Sequence, residues 1–198
     1  MKFLMFIIFL VLALGINAQQ PQLYYGNHLK PKFIYTQQTK NNFDNFSEYV
    51  MQLIESADRN KDKKISVGEL QMFQYRLVRE FKYKRNKTAL HPNDFVTQGG
   101  GDCEDFAIVT TCMLNYYGAV AYVALFGRVT TNKHSLCMVK IATPVPSGYL
   151  YYTLHGYGVP KGTYIPVDYD KIGGLKAIDR RWKIARMVRP KQIIGQIW

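Results

Sequence analysis

The chain has 198 residues, 47% hydrophobic and 20% charged, which excludes a disordered polymer and fits one ordinary domain with an appendage. A core of that size needs no disulfide scaffold, and an odd count of 3 cysteines leaves at least one thiol unpaired within the chain. The formal net charge is +12, but its Lys and Arg residues are spread out, with modest clusters at 82–87 and 180–191. Neither cluster interleaves aromatics in a nucleic-acid motif, so a solvated basic surface is expected, with acidic envelope polymers rather than nucleic acid as its counterpart.

Residues 1–18 read as a secretory signal peptide: a positive Met1-Lys2, an apolar run over 3–16, and a small residue, Ala18, before Gln19-Gln20-Pro21. The run is short for a membrane span, no later stretch is apolar enough for one, and a secreted or periplasmic location is expected. Residues 19–44 are polar with prolines and read as an extended lead-in. Residues 45–82 read as a helical hairpin, with Phe46, Val50, Leu53, Ile54 and Ala57 on one stripe and Leu70, Phe73, Leu77, Val78 and Phe81 on the other.

The loop joining those helices has the spacing of an EF-hand calcium site. Side-chain oxygens of Asp58, Asn60, Asp62 and Ser66 fall at loop positions 1, 3, 5 and 9, the carbonyl of Lys64 at 7, and Glu69 at 12. Calcium, a hard cation, takes six to eight such oxygens. Lys63 stands at the sixth position, where a glycine is expected, and must accept a left-handed backbone at some cost. Together with Arg59, Lys61 and Lys64 it dilutes the negative field, so weak binding is expected.

In residues 83–198 the next helix starts near Cys103 and stops at Gly118, followed by strand-like runs at 119–129, 134–142, 149–155 and 164–168. Helices followed by neighbouring strands predict an α+β domain with a mainly antiparallel sheet. The tail over 179–198 fits either a helix or a last strand. Asn45 and Asn86 stand in glycosylation sequons.

Cys103 follows three glycines and opens a helix, where the dipole favours a thiolate. Glu104 and Asp105 oppose that charge, so a base is required. His134 opens one strand and Asp168 closes another, in the order of a nucleophile, base and orienting carboxylate, with His155 as the alternative base. Cys112 is predicted on the opposite helix face from Cys103, and Cys137 on the opposite strand face from His134. Both are expected to be buried thiols, with a bond between them as the alternative.

Gly101-Asp102-Cys103-Glu104-Asp105-Phe106-Ala107 resembles the nucleophile motif of bacterial transglutaminase-like cysteine proteinases, within the papain-like superfamily. Phe81-Lys82-Tyr83 and Pro92-Asn93-Asp94-Phe95-Val96 resemble the approach to that motif, and His134-Ser135-Leu136 and Tyr164-Ile165-Pro166-Val167-Asp168 resemble the blocks bearing the His and the Asp. The resemblance implies a papain/transglutaminase-like fold and acyl transfer in which Cys103 attacks a carbonyl, His134 moves the proton and Asp168 orients His134. It further implies an oxyanion site at the helix start with Gln98, and a second calcium held by the flanking Asp102 and Glu104. The expected substrate is a protein or wall peptide. The alternatives are a transamidating enzyme, or an inactive calcium-dependent envelope protein on the same scaffold.

Overall fold

The computed structural model describes residues 30–36, 43–127, 133–179 and 182–193; the signal peptide expected at 1–18 lies outside them. Helix α1 (Glu48–Glu55) is capped by the Ser47 side chain, and α2 (Val67–Glu80) by a reciprocal Ser66–Glu69 capping box. A short strand β1 (Lys82–Tyr83) follows, then helix α3 (Pro92–Thr97), strand β2 (Gly100–Gly101) and helix α4 (Cys103–Tyr116). Strands β3 (Ala121–Gly127), β4 (Lys133–Ile141), β5 (Tyr152–Leu154), β6 (Gly162–Asp168), β7 (Lys171–Ile172) and β8 (Lys183–Val188) complete the sheet, and α5 (Pro190–Ile193) follows.

The sheet runs β5-β6-β4-β3-β8, with β7 paired to β6, and every pairing in it is antiparallel. The expected α+β arrangement with a mainly antiparallel sheet is therefore what the chain forms. The basic tail supplies both a last strand, β8 against β3, and a short helix. The lead-in also joins the sheet, because Phe33 and Tyr35 bridge Ile141 and Ala119.

Helix α4 is buried from Asp105 to Leu114, on every face, as a central helix must be when both sheet and hairpin pack on it. Its core is continuous with the hairpin: Val50, Ile54, Leu70 and Leu77 belong to the same buried cluster as Phe95, Ile108 and Val123. The expected boundary at 82/83 thus falls inside one core. The other sheet face packs Phe126, Leu136, Met138 and Tyr164 beneath Ile178 and Trp182.

All three thiols are free. Cys112 and Cys137 face each other between α4 and the sheet, where burial pushes the Cys112 thiol up strongly and the Cys137 thiol up to about 12. They are inert core residues, as the face counting predicts.

Candidate active site

Strand pairing explains the glycine run before Cys103. β1 and β2 pair in parallel, Lys82 opposite Gly100 and Tyr83 opposite Gly101. A Cβ at Gly100, where φ is 139°, would overlap the Lys82 carbonyl, and one at Gly101 would overlap the Asp105 carboxylate. Asp105 needs that space. Its carboxylate, 0% exposed, accepts from Leu90 N–H at 2.7 Å, Asn86 Nδ2 at 2.6 Å and Asp102 N–H at 2.8 Å, tying three loops to the start of α4. Burial raises its pKa although these bonds oppose the rise. The Asn86 amide in that sequon is thereby engaged with Asp105.

Cys103 is the first residue of α4, partly exposed, with Asp102 as its N-cap. The Asp102 N–H goes to Asp105, the Glu104 and Asp105 N–H groups go to the Asp102 carboxylate, and the Phe106 N–H goes to the Asp102 carbonyl. Cys103's own N–H is left at the helix start, pointing where the dipole is positive.

His134 and Asp168 are brought to this end by β4 and β6. His134 Nε2 lies 2.8 Å from Asp168 Oδ1, which leaves Nδ1 as the nitrogen open to the nearby Cys103 thiol. Burial disfavours the imidazolium, yet the bonds and charges of Asp168 and Cys103 prevail and raise its pKa to about 9. Asp168 is 1% exposed, and its Oδ2 accepts from Lys176 N–H at 2.7 Å and Ala177 N–H at 2.8 Å. Burial pushes its carboxyl upward, but the His134 bond and these amides outweigh it and hold the group below the ordinary carboxylate value.

A narrow cleft with room for about one water lies beside the thiol, lined by Gln74, Cys103, Phe106, Ser135, Asp168 and Tyr169. Tyr169 follows Asp168 in a left-handed conformation, φ 54°, which places its ring 5.8 Å from the His134 ring and 5.6 Å from Phe106. Gln74, 2% exposed, reaches in from α2 and donates to Thr110 Oγ1 at 2.8 Å.

A family model described as a transglutaminase-like domain matches residues 27–188. The chain belongs to the transglutaminase-like domain family. Among solved structures, calcium-bound LapG of Legionella pneumophila is 21% identical over 78% of this chain and 78% of that one, with a TM-score of 0.48. EGTA-treated LapG is 21% identical over 71% of this chain and 70% of that one, with a TM-score of 0.47. No curated protein matches the chain.

Within this transglutaminase-like domain, the structure brings Cys103, His134 and Asp168 together and leaves two other candidates outside. Gln98, expected at the oxyanion, is an exposed C-cap of α3 whose carbonyl receives Lys84 Nζ; the amide side chain in the cleft is Gln74. His155, the alternative base, is exposed just beyond β5. Asp102 and Glu104 do flank the thiol, but the Asp102 carboxylate is turned inward as the helix cap. Among the described residues no three His, Cys, Asp or Glu side chains gather as a metal site.

The loop over 58–69 turns left-handed at two lysines. Lys63 is left-handed at φ 61°, and so is Lys61 at φ 60°. Asp58 accepts from the Asp62 and Lys63 N–H groups, Asn60 Oδ1 from Asp62 N–H, and Asp62 Oδ1 from Lys64 N–H. Glu69 reaches back across the loop to the Arg59 and Asn60 amides while also holding Ser66. The Tyr35 hydroxyl donates to the Ile65 carbonyl at 2.7 Å and accepts its N–H at 3.2 Å, anchoring the loop to the lead-in.

Proposed function

We propose that the chain is an exported thiol peptidase or amidase that cleaves amide bonds in protein or peptide substrates through an acyl-enzyme on Cys103. The observation that carries this reading is the His134–Asp168 pair, 2.8 Å apart and set close enough to Cys103 for the thiol to bear on the imidazole. His134 Nδ1 takes the thiol proton, and the sulfur attacks the substrate carbonyl carbon. The oxyanion meets the Cys103 N–H and the positive end of α4. His134 then gives its proton to the leaving amine, and a water, deprotonated by the same imidazole, releases the acid product. Asp168 fixes the ring orientation and balances the imidazolium, while two backbone donors fix Asp168 in turn.

Export rests on the residue order over 1–18, and no helix among the described residues is long and apolar enough to cross a membrane. Calcium fits the loop over 58–69: Asp58, Asn60, Asp62, Ser66, Glu69 and the Lys64 carbonyl offer the oxygen donors, on a backbone already in its left-handed turn at Lys63. A bound cation would supply charge that draws Glu69 and the loop's acids onto one centre. The lysines of the loop reduce the negative charge presented, in keeping with extracellular rather than cytosolic calcium levels.

The test is alkylation of Cys103 by iodoacetamide, run beside a peptide-cleavage screen with Cys103→Ser as control and with calcium or chelator present. Fast labelling that is lost in His134→Ala, with cleavage lost in Cys103→Ser, is the expected result. Slow labelling indifferent to His134 would exclude the peptidase and leave a binding protein on the same scaffold.

A further inference from the structure

The basic cluster over 82–87 is not remote surface. Pairing of β1 with β2 sets Lys82 and Tyr83 directly against Gly100-Gly101, the two residues before Asp102-Cys103. The Lys84 N–H continues the pairing to the Gly101 carbonyl at 2.8 Å. Tyr83, opposite Gly101, thus lies two residues in register from Cys103, and the pKa of its phenol is held up by burial and by the charges of Cys103 and Asp102. Lys82, Tyr83, Lys84, Arg85 and Lys87 are exposed, and the three ion pairs among the described residues involve none of them. Lys84 is engaged with the Gln98 carbonyl and Arg85 with the Tyr83 phenol, while the side chains of Lys82, Arg85 and Lys87 stay exposed.

Two further features favour an extended ligand here. Lys82 and Lys84 direct their N–H groups to β2, so Tyr83 presents its backbone to the other side, and among the described residues no strand covers that edge. Several acids nearby are already committed: the Asp105 carboxylate is buried, that of Asp102 caps α4 and Glu80 pairs with Arg76, while Glu104 is half-buried and Asp94 exposed on α3.

Resting on the peptidase reading, we propose that the substrate is an acidic segment of a protein, laid extended along β1. Its Asp and Glu side chains meet Lys82, Arg85 and Lys87 while its scissile carbonyl reaches Cys103. Open strand edges recruit extended peptides through main-chain bonds, and the flanking charges select among them.

The experiment uses fluorogenic peptides that share one cleavable core, flanked by Asp/Glu, Asn/Gln or Lys/Arg. At low salt the kcat/KM for acidic flanks is expected to exceed that for basic flanks by roughly tenfold, the yield of two or three exposed pairs with steering. The ratio is expected to shrink toward unity in high salt and to invert in a Lys82→Glu/Arg85→Glu double variant. Because it compares two peptides on one protein, a variant with reduced overall activity still reads out. Equal cleavage of all flanks, or a preference untouched by the double variant, overturns the inference. Anisotropy of the same peptides on Cys103→Ser separates the two readings: acidic peptides bound but never cut by the wild type would keep the acidic site and remove the peptidase. Peptides neither bound selectively nor cut remove both.

Discussion

Replacing Asp168 by Asn changes one charge and almost no volume. Asp168 Oδ2 accepts two backbone N–H groups at 2.7 and 2.8 Å, so the introduced amide's carbonyl oxygen is held on that side and its NH2 is turned toward His134. His134 Nε2 must then accept, which moves the ring proton to Nδ1, the nitrogen facing the thiol, and leaves no base there. Two effects add. The imidazolium pKa of about 9 stands above the ordinary 6.5, worth roughly 3 kcal/mol in favour of the charged ring at 1.36 kcal/mol per pH unit, shared by Asp168 and Cys103. Loss of the Asp168 share lowers iodoacetamide alkylation at neutral pH by about ten- to a hundredfold if it is half or more of that sum. Hydrolysis, which also needs the correct tautomer in both directions, falls by about 10³–10⁴-fold. The assay is alkylation rate against pH, followed by mass spectrometry of the Cys103 peptide, with a thermal melt to show that the Asp168→Asn side chain still holds the two amides. An Asp168→Asn protein with the wild-type alkylation profile would refute the assignment of Asp168 as the orienting group.

Cleavage is expected to fall as pH rises through about 9, where His134 loses the proton needed by the leaving amine, and a kcat/KM–pH profile reads this limb. The same group stabilises the fold fully below pH 6.5 and ceases to do so as pH rises through about 9, whereas Asp168, depressed from 3.8, stabilises above that value and loses its contribution as acid protonates it; denaturant melts across pH report both. Tyr169→Phe keeps the ring against His134 and should leave the alkylation pH profile in place, whereas Tyr169→Gly relieves the left-handed backbone but wets the His134–Asp168 pair and should lower its upper limb. Gly101→Ala forces the Asp105 carboxylate aside and should cost about 1–3 kcal/mol together with most of the thiol reactivity, seen in a melt and in alkylation. Lys63→Gly removes a left-handed lysine and one positive charge, and should tighten calcium by about threefold or more in a titration by calorimetry; unchanged heats would count against the loop as a calcium site.

The nucleophile region was legible because its signals are local. Glycines, a cap and a thiol within a few residues all demand the same strand-to-helix turn, and α4 begins where they say. Strand order along the chain was legible too, since β3, β4 and β6 carry apolar runs broken by turn residues. What escaped depends on distant parts of the chain. Gln98 drew notice by lying near Cys103 in sequence, while Gln74 arrives from another helix; its clue was a lone amide on the stripe of Leu70 and Leu77. Tyr169 has no signal of its own, because its conformation follows from the β6–β7 turn closing on α4. Asp105 looked like an ordinary first-turn acid, and only the approach of residues 86–90 turns it into a tether. The cluster over 82–87 resembled solvated surface until the pairing of β1 with β2 gave it a neighbour.

The continuous core from Val50 and Leu70 to Ile108 has a consequence for how the molecule fails. A hairpin joined by a linker could melt alone and leave the thiol poised. Here Gln74 and Leu77 of α2 lie against the helix and cleft that hold Cys103, so loosening the hairpin exposes the interior of α4 in the same event. Amide exchange in α1 and α4 should therefore slow together when the loop over 58–69 is stabilised, and rise together when Leu70 is truncated, by about 2–5 kcal/mol, the measure of a buried leucine. Damage to the hairpin would then appear as lost protection of the buried Cys112 and Cys137 thiols, with no substitution at the site itself.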